Sequence, residues 1–131
     1  MPLYNLACAR PLEPAQRQAV ATAITEAHCS TTGAPAAFVN VVFLDHYPLP
    51  APQVISLLGG VRTGGNRTAA IVEKLRRALH TGVAAALDVP AEAVGLGLIG
   101  VPSNWVVEGG EVMPEPGAEA EWLARQHAPD P

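Results

Sequence analysis

Aromatic side chains are scarce in this sequence, two each of Phe, Tyr and Trp among 131 residues, although 49% of the chain is apolar. The interior therefore has to be built from Ala, Val, Leu and Ile, which bury little area apiece, and such a core is expected to draw on an oligomer interface for cover. Cysteine is nearly absent. Cys8 and Cys29 are too few for a disulfide framework or a metal quartet, and their spacing matches no zinc pattern, so buried or idle thiols are expected. No Lys/Arg-rich run occurs, and 8 basic residues against 12 acidic ones leave a net charge of -4. That balance argues against a nucleic-acid or anionic-membrane surface and toward small molecules as partners. No apolar run approaches the length that spans a bilayer, and the opening "MPLYNLACAR" lacks a basic n-region followed by an apolar h-region, so the expected location is the cytoplasm. Gly64 and Gly65 do not form a phosphate loop, because the glycine spacing and a trailing Lys-Ser/Thr are missing. No cofactor and no metal is expected.

What the sequence does contain is a repeated order of elements. Residues 2–8 read as a short strand. In "LEPAQRQAVATAITEAHCSTTG", Pro14 suits a first helical turn, Val20, Ile24 and Ala27 recur at helical spacing, and Gly33 marks the end. Residues 36–45 read as a strand covered on at least one face, and the three prolines of "HYPLPAP" (46–52) then interrupt everything. Residues 53–61 repeat the strand, "RTGGNR" reads as a turn, residues 68–89 as a helix capped by Thr68, and residues 94–101 as a further strand. One domain over 1–131 is expected, with βαβ halves at about 2–45 and 53–101 and a Pro-, Gly- and acid-rich tail at 102–131. The fold class is α/β (α+β), a four-stranded sheet with two helices on one face, parallel within each half. The other face is expected to be covered by further subunits. In the tail, "EAEWLARQ" reads as a short helix and the last five residues as frayed.

Pro2 directly behind Met1, a helix ending "AITEAH", a second βαβ half, a Gly-flanked arginine loop and a tail reading "VVEGGEVMPEPGAEAEW" together resemble the tautomerase superfamily. The likeness is to its cis-3-chloroacrylic acid dehalogenase branch and runs from Pro2 to about Trp122. The resemblance implies a homotrimer whose N-terminal proline is the catalytic group. It also implies a histidine late in the first helix, two arginines in the loop before the second helix and a glutamate in the tail, here His28, Arg62 with Arg67, and Glu108. "RTGGNR" spaces its arginines wider than that loop usually does. A tyrosine usual on the last core strand has no counterpart, since "GLGLIGV" offers only Gly97 and apolar neighbours. That departure weakens a dehalogenase reading relative to tautomerase or hydratase chemistry.

These residue types suit one chemistry. Methionine aminopeptidase removes Met ahead of a small residue, and Pro qualifies, so Pro2 is expected to carry a free secondary amine. An α-amino group titrates near 7.7–8.0, and burial together with the Arg62 and Arg67 charges would lower it toward a neutral base. The arginine forks match a carboxylate and would stabilise enolate-like charge. Glu108 could accept a proton from water while Pro2 protonates the adjacent carbon. His28 could bind a carboxylate or carbonyl oxygen or orient a water, and Trp105, three residues before Glu108, could wall the pocket. The expected substrate is a small 2-oxo or unsaturated carboxylate. Taken singly, each residue has an ordinary reading: His28 as a helix-end dipole partner, "RTGGNR" as a solvated turn, Glu108 as a solvated acid. Their joint occurrence in this order favours the site. The alternative is a non-catalytic trimeric binding or assembly protein, because a retained Met1 would leave the Pro2 nitrogen as an amide without a basic lone pair.

Overall fold

The first long helix starts where proline permits it. In a computed structural model that describes residues 1–126, α1 spans Pro14–Thr32, with Pro14 in its first turn, where a missing N–H costs nothing. The Gln16 side chain accepts from the Glu13 N–H at 2.9 Å. Gly33 closes the helix at φ 76°, its N–H donating to the Cys29 carbonyl at 2.9 Å. The second helix, α2 (Ala69–Leu87), is capped by Thr68, whose hydroxyl accepts from the Ile71 N–H at 3.2 Å. The expected fraying of the last five residues lies outside the described residues.

Four strands form one mixed sheet in the order β2-β1-β3-β4: β1 (Leu3–Cys8), β2 (Asn40–Leu44), β3 (Ile55–Thr63) and β4 (Val94–Pro102). Each half is a parallel pair joined through its helix, β1 with β2 and β3 with β4. The halves meet antiparallel at β1 and β3, with Leu6 opposite Leu57. Period-2 alternation turns Tyr4, Leu6, Cys8, Ile55, Leu57 and Val61 toward Val20, Ile24, Leu75, Leu79 and Val83, so both helices cover one sheet face, as the sequence predicts. Leu75, Leu79 and Val83 are fully enclosed, each such burial stabilising by roughly 1.5–3 kcal/mol. On the opposite face Leu3, Val42, Leu44, Leu58 and Ile99 are exposed.

Element boundaries differ from the sequence reading, most clearly at two places. The strand expected from residue 36 begins only at Asn40, because Pro35 leads into a 3-10 turn over Ala36–Phe38. The strand expected to end at residue 61 continues through Thr63, since Arg62 pairs with Val101 and Thr63 with Pro102 of β4. Arg62 is therefore a strand residue and not, as the resemblance implied, part of the loop before α2. The turn begins at Gly64, and both Gly64 and Gly65 have positive φ. The tail forms a small hairpin, β5 (Val107–Glu108) with β6 (Glu111–Val112), and then α3 (Glu119–Gln126), the short helix read from "EAEWLARQ". Trp122 anchors α3 by packing edge-on against Phe38, with Met113 beside them. No helix among the described residues is long and apolar enough to cross a membrane.

Candidate active site

The N-terminus lies at the mouth of β1, where the chain passes from solvent into the sheet. Pro2 is buried, and the Met1 amine makes an ion pair with the Glu108 carboxylate of β5. The Met1 side chain runs over β3, its Cε 3.0 Å from where a Cβ on Gly60 would stand. Burial first, and the Arg62 charge second, pull this amine down from 8.0 to about 6.

Next to the terminus stands a buried arginine pair. Arg62 donates from Nη2 to Glu119 Oε1 at 2.6 Å and from Nη1 to the Pro114 carbonyl at 2.5 Å. Arg67 donates from Nη2 to the same Glu119 oxygen at 3.4 Å and from Nη1 to the Thr32 carbonyl at 3.3 Å, with Asn66 Oδ1 as a further acceptor. The other Glu119 oxygen accepts from the Gly117 N–H at 2.8 Å. Local backbone geometry makes this arrangement possible. A Cβ on Gly65 would stand 2.0 Å from the Pro116 carbonyl oxygen at φ +54°, so only glycine lets the Arg67 turn pass beneath the tail.

His28 comes from the last third of α1 and is 1% exposed. Tyr4, whose ring has room because Gly59 faces it across the antiparallel pair, brings its hydroxyl to 2.7 Å from His28 Nδ1. Burial pushes the Tyr4 hydroxyl well above its usual range, so it keeps its proton. Burial, then the charges of Arg67, the terminal amine and Arg62, lower His28 from 6.5 to about 3, so the ring is neutral. Tyr4 has no other acceptor for its proton among the described hydrogen bonds, which makes it the donor to Nδ1 and places the ring hydrogen on Nε2. Nε2 is a buried polar atom with no partner. A buried donor in that state awaits an acceptor.

The folded-state value of His28 is depressed below its unfolded one, so unfolded chains take up the proton first as pH falls. Its contribution is complete above about 6.5 and is lost progressively toward about 3, at no more than ~1.4 kcal/mol per pH unit. Urea midpoints measured between pH 7 and pH 4 should fall for the wild type and fall less steeply for His28→Gln.

The structure thus brings together the terminus, Glu108, His28, Arg62 and Arg67, whose charges act on one another. Trp105 is not among them: it sits at the end of a 3-10 turn, 75% exposed, and walls nothing in this chain. The sequence reading missed Tyr4 and Glu119. Tyr4 shares strand parity with Pro2, a signal that was available; Glu119 looks like one more solvated acid in an acidic tail. Among the described residues no cluster of three His, Cys, Asp or Glu side chains is placed to hold a metal ion.

The crystal structure of N1, a member of the cis-3-chloroacrylic acid dehalogenase (cis-CaaD) family, superposes on this chain with a TM-score of 0.84 at 28% identity, over 97% of this chain and 92% of that one. The chain belongs to the tautomerase superfamily. Native Ps01740 is similar at 29% identity and TM-score 0.67, covering 81% of this chain and 99% of its own. The tautomerase fold is shared as well with an asymmetric trimer of fused 4-OT, at TM-score 0.73 and 18% identity over 84% of this chain and 94% of that one. No family model matches the sequence, and no curated protein does. In this chain β4 carries no tyrosine, and the tyrosine that reaches the histidine comes from β1.

Proposed function

We propose that this chain is a Pro2-dependent tautomerase or hydratase of small 2-oxo or unsaturated carboxylates, with at most weak cis-3-haloacrylate dehalogenation. The observation that carries the reading is the unpartnered His28 Nε2, buried beside two guanidinium groups and the terminal amine of Met1, whose basicity burial lowers. An enolic 2-oxo acid supplies what these groups lack. Its oxygens would accept from His28 and from arginine N–H groups not already engaged, while a neutral Pro2 nitrogen removes the enol proton and returns it to carbon as the carbonyl forms. In hydration, Glu108 would take a proton from water as its oxygen bonds to carbon, and a protonated Pro2 would deliver one to the neighbouring carbon. Trp105 would reach the site only from a surface that an assembly could cover.

Removal of Met1 has a geometric consequence that supports this reading. Met1 is the residue between the Pro2 nitrogen and the Glu108 carboxylate. Its loss would free that interval for a small molecule, flanked by a base on one side and an acid on the other. The exposed apolar face of Leu3, Val42, Leu44, Leu58 and Ile99 supports assembly as a homotrimer, and the fused 4-OT neighbour is itself a trimer.

The test pairs intact-mass spectrometry with turnover of phenylpyruvate enol, 2-hydroxymuconate and cis-3-haloacrylate, and with sedimentation equilibrium for the trimer. The expected result is a chain lacking Met1 that turns over at least one of the three. A second reading is a non-catalytic trimeric binding or assembly protein, since a chain keeping Met1 has no basic nitrogen at Pro2. A mass that includes Met1, with no turnover, decides for it.

A further inference from the structure

Glu119 takes no part in the chemistry above, yet it is 4% exposed, and its oxygens are the meeting point of Arg62, Arg67 and the Gly117 N–H. Guanidinium groups stay charged in proteins. Two of them brought together out of water repel each other and lack solvation unless a counterion joins them. One carboxylate against two guanidinium groups leaves a single net positive charge. The Gly117 N–H, at the turn before α3, fixes the orientation of that carboxylate from the tail side.

We propose that Glu119 is a positioning residue: through one carboxylate oxygen it holds Arg62 and Arg67 as a pair and sets how much positive field reaches the N-terminal amine. This deepens the function proposed above and rests on it. The Met1 amine, whose place the Pro2 nitrogen takes once Met1 is lost, meets Glu108 from β5 and the charge of Arg62 from β3; His28 from α1 feels that amine and Arg67 from the turn ahead of α2, and Glu119 from α3 holds both arginines. Of these, Glu119 carries a charge but has no step of its own in the reaction, so it can be neutralised while every reacting side chain stays in the sequence. Each guanidinium has five N–H donors, so the clamp uses some and aims the others.

The experiment is an NMR titration of the Pro2 nitrogen in the mature trimer, with kcat and KM measured in parallel, on the wild type, Glu119→Gln, Glu119→Asp and the double variant Glu119→Gln with Arg62→Gln. Glu119→Gln removes the charge that offsets the arginines, which disfavours the ammonium form. The amine midpoint should fall by roughly half to one pH unit, and kcat should drop about 10- to 100-fold. Glu119→Asp keeps the charge but shortens the reach, so the midpoint should return while kcat stays low. The double variant removes one charge of each sign and should titrate like the wild type. It also keeps the question answerable if Glu119→Gln alone does not fold. A midpoint unmoved in Glu119→Gln, or still displaced in the double variant, overturns the proposal. Wild-type turnover in Pro2→Ala would instead overturn the reading of the site on which it rests.

Discussion

Replacing Pro2 by Ala is expected to lower kcat/KM by about 100-fold or more on whichever carboxylate the wild type turns over fastest, the size typical of losing a positioned acid–base group. The melting temperature should stay within a few degrees of the wild type. Ala still permits removal of Met1, so an amine remains, but it is a primary amine free to rotate. The proline ring ties its nitrogen back to its own side chain, so that nitrogen cannot turn about the N–Cα bond at the start of β1. The loss therefore measures placement and basicity together. Steady-state kinetics with intact-mass confirmation of each chain is the measurement, and a Pro2→Ala rate equal to the wild type would refute amine catalysis here.

Replacing Arg62 by Ala is expected to have the largest effect on stability, a loss of about 3–5 kcal/mol, because it breaks a buried ion pair from one side. Arg62 and Glu119 are 3% and 4% exposed and meet at 2.6 Å. Without the guanidinium, Glu119 keeps the Gly117 N–H and, of its charged partners, only the longer 3.4 Å contact with Arg67, and the Pro114 carbonyl loses its donor. The tail should loosen from the sheet, and turnover should fall with it. Arg76→Ala is the internal control: its pair with Glu73 at 3.7 Å is 41% and 57% exposed, and such surface pairs contribute at most about 1 kcal/mol. Urea unfolding of the two variants should differ severalfold in lost stability. Similar losses in both would show that the Arg62 pair is not shielded from water.

The elements were legible in the sequence where the signal is local. Pro14, Gly33 and Thr68 act through φ restriction or capping within one turn of their own position, and the apolar rows of α2 need only helical periodicity. The repetition of strand, helix and strand was enough for the four-stranded sheet and its two covering helices. Legibility failed where a partner was distant. Thr63 remained in a strand because β4 extended to meet it, which no property of "RTGGNR" foretold.

The candidate site divides in the same way. Pro2, His28, Arg62, Arg67 and Glu108 could be named from motifs, but their partners could not. Tyr4 finds His28 across 24 residues, and Arg62 finds Glu119 across 57. So the sequence by itself determined the elements, the two similar halves and the chemical types of the side chains. The tertiary structure alone decided that a tail carboxylate joins the arginine pair, that a β1 tyrosine sets the tautomer of His28, and that Met1 reaches Glu108. The reason is physical: dihedral preferences and caps act over a few neighbouring residues, whereas an ion pair between distant residues exists only after packing has closed the loop between them and excluded water.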